Sequence, residues 1–194
     1  MFCGEIKKKL FYNKNPPFSV IAKNNYNTMN NNLSIIVAVG NENEIGRKNE
    51  LLVHLPNDMK RFKSLTLDTT VVMGENTYHS LQVKPLPKRR NIVLSFDKTQ
   101  QFSGCEMAHS VDDVLEMVKN DAAVFIIGGA SVYQQFLPLA SKLYLTKINA
   151  TFADADAFFP KIDFSQWNLM EKIDCQADEK HIYEYSYCMY CRKN

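Results

Sequence analysis

The sequence predicts a single α/β domain built on a mostly parallel central sheet of about eight strands. Short runs rich in Val, Ile and Leu alternate along the chain with short helical patterns, which is typical of a parallel sheet covered by helices on both faces. The last two strand patterns have no helix between them, which predicts an antiparallel C-terminal edge. A length of 194 residues with 45% hydrophobic side chains suits one domain with a substantial core.

Each strand and helix is predicted from its local composition and from the spacing of its apolar residues. β-Branched and aromatic runs predict strands at 33–40, 70–74, 90–95, 123–128, 142–149, about 168–175 and 181–191, and a short further strand is expected near 105–108. Apolar residues at helical spacing predict about four flanking helices, at 56–66, 75–82, 111–120 and 130–137. Ser110 is placed to cap the third helix.

The segment Leu55-Pro56-Asn57-Asp58-Met59 opens the first helix. Proline is favoured at the first helical position, and a carboxylate is favoured in the first turn. Leu55, Met59 and Phe62 share a face with Asp58, so this face is apolar except for one acid. Such an acid suits a ligand with two adjacent N–H donors, such as a pterin ring. The alternative is an acid in the first turn of an ordinary amphipathic helix.

Two strand-to-helix turns are suited to phosphate groups. Gly128-Gly129 ends one strand and precedes a helix, and Gly74 ends another, with Thr77 three residues later. Glycines allow backbone N–H groups to approach an anion, and a helix N-terminus adds positive potential. Either glycine alone indicates only a turn, whereas the two together suit a dinucleotide pyrophosphate. The chain has no G-x-G-x-x-G motif, so this is not the Rossmann fingerprint.

Five blocks in this order closely resemble the dihydrofolate reductase family, from about Leu33 to the C-terminus. They are Ser34–Val39 with the turn Ile45-Gly46, Leu55–Met59, Val71–Thr77, Pro85–Ser95 and Phe125–Tyr133. The resemblance implies reduction of 7,8-dihydrofolate to 5,6,7,8-tetrahydrofolate by hydride transfer from NADPH, in support of one-carbon metabolism. It also implies that a loop at about 40–54 covers the site.

By this resemblance Asp58 is the catalytic acid, Thr146 donates to its carboxylate, and Arg89 binds the glutamate carboxylate of folate. The full set implied for substrate is Ile36, Val37, Ala38, Asp58, Met59, Phe62, Leu81, Leu86, Arg89, Ile127, Tyr133 and Thr146. The set implied for NADPH is Ala38, Ile45, Gly46, Gly74, Glu75, Asn76, Thr77, Leu94, Ser95, Phe96, Ile127, Gly128, Gly129, Ala130, Ser131, Val132 and Tyr133. The four histidines show no ligand spacing, so no metal site is predicted.

The chain departs from the family pattern at several positions. Val53 stands where the family usually has a tryptophan, so the route of the proton is expected to differ in detail. Glu75, Phe96 and Ser131 stand where bacterial members often bind the adenosine 2′-phosphate through basic or hydroxyl side chains. Ser95, Asn76 and either Lys98 or Arg90 are then the expected donors to the phosphate.

Two alternatives remain at the level of the sequence. A pyrimidine reductase of flavin biosynthesis shares the overall plan and the Gly-Gly turn, but is expected to lack the Leu-Pro-x-Asp segment that Asp58 completes. A catalytically silent nucleotide- or pterin-binding module is expected to have lost the acid, the Gly-Gly turn or Arg89, and all three are present.

Composition limits the other possibilities. The net charge of +2 does not suggest a nucleic-acid partner, and no apolar run is long enough for a transmembrane helix. Residues 1–28 carry a net +4 and lack periodicity, so a disordered extension or an upstream start is expected, followed by a reductase-like domain over 29–194. Five cysteines with irregular spacing, including Cys188-x-x-Cys191, favour reduced thiols in the cytoplasm. A monomer is expected.

Overall fold

The computed structural model describes residues 32–193 and confirms the predicted fold class. An eight-stranded sheet has the order β5-β4-β3-β6-β1-β7-β10-β9. Five neighbouring pairs are parallel, and the two pairs that involve β10 are antiparallel. The predicted extension 1–28 lies outside the described residues.

The strands are β1 (Leu33–Val39), β2 (Glu44–Gly46), β3 (Thr70–Gly74), β4 (Arg90–Leu94), β5 (Glu106–Ala108), β6 (Val124–Gly128), β7 (Lys142–Ile148), β8 (Ala157–Phe158), β9 (Trp167–Cys175) and β10 (Tyr185–Arg192). The helices are α1 (Pro56–Thr66), α2 (Glu75–Ser80), α3 (Val111–Met117) and α4 (Ala130–Phe136), with a short 3-10 helix at Phe164–Gln166. Ser110 caps α3 as predicted, because its hydroxyl accepts the backbone N–H of Asp113.

The predicted start of the last strand and the predicted ends of three helices were wrong. The last strand begins at Tyr185 instead of residue 181, because the chain makes a tight turn in which Asp178 and His181 exchange backbone hydrogen bonds. Helices α2, α3 and α4 each end before the predicted residue. The small sheet of β2 and β8 was not predicted, since strands of three and two residues are too short to show a period.

The central strands are buried on both sides. β1, β3 and β6 are almost wholly buried, and each contributes residues to the packed layers on the two faces of the sheet. In parallel sheets of this kind, ligands bind beyond the carboxyl ends of the strands. The ends of β1, β3 and β6 are where the predicted site residues fall. Among residues 32–193, no helix combines the length and hydropathy that a membrane span requires.

Candidate active site

Asp58 lies in the first turn of α1, as the proline at its first position predicted. The hydroxyl of Thr146, in β7, donates a hydrogen bond to Asp58 Oδ1 at 2.5 Å. Thr146 is opposite Ala38 of β1 in the parallel register. The sheet therefore fixes the position of the Thr146 hydroxyl, and α1 fixes the position of the Asp58 carboxylate.

The surroundings of Asp58 raise the pKa of its carboxyl above the ordinary value. Burial is the largest cause, and the hydrogen bond from Thr146 and the positive charge of Arg61 oppose it. The Tyr133 hydroxyl donates to the Ile36 carbonyl at 2.9 Å. Burial, and then the negative charge of Asp58, raise the pKa of Tyr133, so this phenol stays neutral.

An apolar wall beside α1 collects most of the predicted groove residues. Ile36 and Ile127 belong to one buried cluster, and Phe62, Leu81 and Leu86 pack against it. Four distant segments of the chain therefore meet on one surface. The other predicted residues of β1 lie apart from this cluster: Val37 belongs to the main core, and Ala38 packs near Leu55. Met59 is 42% exposed and is not part of the wall.

Arg89 is held at the edge of this wall. Its Nη1 donates to Thr66 Oγ1 at 3.0 Å, its Nε donates to the Pro87 carbonyl at 3.1 Å, and its guanidinium lies 6.0 Å from the Phe62 ring centre. The Asn91 side chain accepts the Leu86 N–H and donates to the carbonyls of Leu86 and Arg89. These bonds set the direction of the guanidinium before a ligand arrives.

The two glycine turns are neighbours, because β3 and β6 are adjacent and Met73 pairs with Gly128. Gly128 has φ of 132°, a conformation that favours glycine, and a Cβ there would lie 2.9 Å from Thr77 Oγ1. α2 follows Gly74 and α4 follows Gly129, and neither helix has a side-chain cap at its N-terminus. The backbone N–H groups at both helix starts are thus free of side-chain competitors for an anion.

Two side chains that were expected to bind the phosphate already have partners within the protein. The Ser95 hydroxyl donates to the Glu75 carboxylate, so it is already engaged. Arg90 is also engaged, since it pairs with Glu106 and Asp121 at 2.7 and 2.8 Å, and it is therefore not the free donor that was expected. Asn76 is exposed, and Phe96 is 73% exposed.

Of the other residues predicted to contact the cofactor, Leu94 and Val132 are buried in the main core. Ala130 and Ser131 form the first turn of α4. Ile45 packs against the main core, and Gly46 pairs with Ala157 of β8. This pairing fixes the middle of the loop at 40–54 against β8.

Sequence reasoning missed several residues that shape the site. Glu44 is 1% exposed and binds the backbone N–H groups of Glu42 and Phe152, both at 2.7 Å. Arg61 lies against the Tyr187 ring and near Asp58. No local signal marks Glu44, whereas Arg61 could have been found from its position three residues after Asp58. Among residues 32–193, no group of three His, Cys, Asp or Glu side chains is arranged for a metal ion.

Comparisons with known proteins agree with this geometry. The sequence model of the dihydrofolate reductase family matches residues 32–192. The chain is 39% identical to dihydrofolate reductase of Bacillus subtilis (strain 168) over 162 residues, which cover 84% of this chain and 95% of that protein. It is 35% identical to the Staphylococcus aureus (strain N315) enzyme over 161 residues, or 83% and 98% of the two chains.

A solved structure is similar as well. Dihydrofolate reductase from Enterococcus faecalis, complexed with NADP(H) and RAB-propyl, superposes with a TM-score of 0.79 at 35% identity. The superposition covers 86% of this chain and 98% of that chain. The sequence comparison and the backbone comparison thus point to the same family.

Proposed function

Because this chain belongs to the dihydrofolate reductase family, we propose that its cleft reduces 7,8-dihydrofolate to 5,6,7,8-tetrahydrofolate with NADPH. The observation that carries the proposal is a single carboxylate, Asp58, held by Thr146 at 2.5 Å beside an apolar wall. An acid with one fixed donor beside an apolar wall is suited to bind a ring that offers two adjacent N–H groups.

Asp58 is the group that orients the substrate. Thr146 occupies one side of Oδ1, and the remaining acceptor positions are available to the amino-amidine edge of the pterin. A carboxylate on that edge favours protonation at N5 without touching N5, so the proton reaches N5 through water. The side chain of Val53 has no N–H with which to order that water, so the route of the proton differs in detail from that of relatives with a tryptophan at this position.

The cofactor fits the two glycine turns. Neighbouring helix starts after Gly74 and Gly129, both without side-chain caps, provide backbone N–H groups for a pyrophosphate. Gly128 leaves room beside Thr77 where any larger residue would collide. When bound, NADPH supplies the hydride, and the protein supplies orientation and the exclusion of water.

The remaining wall residues place the rest of the substrate. Phe62, Leu81 and Leu86 line the groove for the p-aminobenzoyl ring, because they pack against one cluster. Arg89, preset by Thr66 and Asn91, binds the terminal carboxylate with its planar fork.

The decisive experiment is an absorbance assay. Loss of the near-ultraviolet absorbance of NADPH should depend on both enzyme and added dihydrofolate, and Asp58→Asn should remove most of it at neutral pH. NADPH with enzyme alone is the control for adventitious oxidation. If dihydrofolate leaves the absorbance unchanged with the wild-type protein, the proposed reaction is wrong.

We also infer the setting in which the enzyme works. The four cysteines in the described part of the chain are all free, which supports a reducing compartment, the cytoplasm. The exposed edge strand β9 carries the pair Lys172–Asp174, and charges of this kind discourage edge-to-edge pairing, which supports a monomer. The small net charge of +2 supports the absence of a nucleic-acid partner. The domain is proposed to span 29–194. Light scattering tests the monomer, because a dimer doubles the measured mass.

A further inference from the structure

Arg61 is a partly buried cation behind the proposed catalytic acid. It lies on α1 three residues after Asp58, so the two side chains share a helix face. Its guanidinium carbon is 4.4 Å from the centre of the Tyr187 ring and 5.8 Å from that of the Tyr144 ring. Within the described residues, its buried Nη1 has no hydrogen-bond partner. Burying such a donor is costly, so its position requires an explanation.

The sheet register places the ring that carries Arg61 next to the donor that holds Asp58. Tyr187 of β10 is directly opposite Thr146 of β7, and paired residues point to the same face of a sheet. Thr146 contacts Asp58, and Tyr187 contacts Arg61. The acid and the cation therefore occupy the same narrow space between α1 and these strands.

We propose that Arg61 is a positioning residue of the reductase: held on Tyr187, its charge keeps Asp58 in the carboxylate form that receives the pterin. The inference rests on the proposed role of Asp58. It gives a reason for the buried Nη1, whose lack of a hydrogen-bond partner costs stability. The surface lysines of the same helix, Lys60 and Lys63, are exposed and are screened by water.

The other titratable groups around Asp58 do not replace this charge. Tyr133 of α4 and Tyr187 of β10 both interact with the acid, but burial raises the pKa of each phenol, so both are neutral. His181, in the turn before β10, accepts the Asn57 N–H through Nε2 at 3.3 Å while its Nδ1 faces Asp178 at 2.7 Å.

The groups that face Tyr144 also leave this assignment intact. Glu171 of β9 and Cys191 of β10 both raise the pKa of Tyr144, whereas Arg61 lowers it, and burial is the largest cause of the rise. Among residues 32–193, Arg61 is the charged side chain that counteracts the effect of burial on the pKa of Asp58.

The alternative is that Arg61 only packs α1 onto the sheet. A packing role and an electrostatic role differ in one observable, the titration of Asp58 itself. The carboxyl carbon of Asp58 can be followed by 13C NMR in protein labelled at aspartate, and Asp58→Asn identifies its signal. This titration needs no substrate, so it tests Arg61 separately from the reductase activity, which the absorbance assay measures on the same preparation.

Three variants on α1 form the experiment. Arg61→Met removes the charge while keeping the length, and should raise the apparent pKa of Asp58 by at least about half a pH unit. Arg61→Lys keeps the charge and should recover a large part of that difference. Lys63→Met removes an exposed charge from the same helix and should change the value by no more than about 0.2 pH units, because water and salt screen it.

Tyr187 supplies a second route if Arg61→Met does not fold. Tyr187→Leu removes the ring and releases Arg61, and should also raise the apparent pKa of Asp58, whereas Tyr187→Phe keeps the ring and should leave the titration as in the wild type. The proposal is overturned if folded Arg61→Met titrates like the wild type. It is equally overturned if Tyr187→Leu does so where Arg61→Met is unfolded.

Discussion

Glu44 and Asp58 are both carboxylates enclosed by the protein, yet their pKa values move in opposite directions. Burial is the largest single influence on each and raises both. At Glu44 the N–H groups of Phe152, of Glu44 itself and of Glu42 outweigh burial, and the pKa falls below its ordinary value. At Asp58 one hydroxyl and the charge of Arg61 do not outweigh it.

The difference separates a structural acid from a functional one. Glu44 has its oxygens occupied by fixed backbone donors and anchors the loop at 40–54 to residue 152. Asp58 has one fixed donor and keeps acceptor capacity for a ligand. A buried acid with unmet hydrogen-bonding capacity and a raised pKa is a candidate functional group, whereas a fully bonded acid is a part of the framework.

The largest expected effect is on catalysis at Asp58. Asp58→Asn keeps the shape and removes the charge, so turnover at pH 7 should fall by at least about ten-fold, and positioned acid–base groups commonly contribute about 10²-fold or more. The loss should be smaller at low pH, where protonated substrate is available. Steady-state rates across pH measure this, with exposed Asp68→Asn as the control. Turnover like that of the wild type at pH 7 would remove Asp58 from the mechanism.

The second effect tests the structural acid. Glu44→Gln replaces one charged acceptor with an amide, which should lower the free energy of unfolding at pH 7 by about 2 kcal/mol. Because folding lowers the pKa of Glu44, its contribution is present above the ordinary value of 4.5 and is lost as pH falls through the folded value. Urea unfolding at pH 7 and pH 3.5 should therefore show a difference that shrinks in acid.

Exposed Glu179→Gln is the matched control for Glu44, and should leave the unfolding midpoint unchanged. A Glu44→Gln protein as stable as the wild type at pH 7 would mean that the backbone N–H groups do not define this acid. Backbone hydrogen bonds would then not be what distinguishes Glu44 from Asp58.

A third carboxylate, Glu75, lies at the start of α2 and accepts a hydrogen bond from the Ser95 hydroxyl. It should repel the 2′-phosphate of NADPH while leaving the cofactor preference intact. We expect a ratio of kcat/KM for NADPH over NADH that exceeds one and falls as salt rises. Glu75→Arg should widen the ratio by about ten-fold, or roughly 1.4 kcal/mol.

Glu116→Arg changes the same charge at an exposed position of α3 and is the control for long-range effects. If Glu75→Arg leaves the ratio where it was, Glu75 does not face the phosphate. If wild-type protein uses NADH as well as NADPH, the expectation of a preference is wrong.

A smaller effect concerns stability at Asp58. Because folding raises the pKa of Asp58, its contribution is present below the ordinary value of 3.8 and is lost as pH rises through the folded value. Ionised Asp58 therefore costs stability at neutral pH, and Asp58→Asn should raise the ligand-free Tm at pH 7 by about 1–5 °C. Calorimetry at pH 7 measures it. A Tm below that of the wild type would show that the charge stabilises the fold.

The smallest expected effect is at the N-terminus. Within the described residues, 32–193, the contacts that define Glu44 and Asp58 come from residues after 41. A chain that begins at Met29 should keep the Tm and the activity of the full sequence, because the composition of 1–28 predicts no packing role. A decrease in Tm of more than about 5 °C would show that the extension packs on the domain.

The sequence by itself determined the fold class and the family. The strands that form the central sheet, the proline-initiated helix with Asp58 and the two glycine turns are local signals, since each depends on residues within one element. The eight-stranded mixed sheet confirms the fold class, and the family match confirms the family. The individual site roles stay predictions, although the structure brings Asp58, Thr146 and the apolar wall together.

Only the tertiary structure decided which charges are free. The sequence suggests Arg90 as a donor to the cofactor phosphate. In the structure Glu106 and Asp121, 16 and 31 residues away, neutralise its charge. Glu44 is bound by Phe152, 108 residues away. Arg61 shares a helix face with Asp58 in the sequence, but only the structure shows that it is held on Tyr187 from the last strand. Such pairings depend on which strands become neighbours, and no local periodicity carries that information.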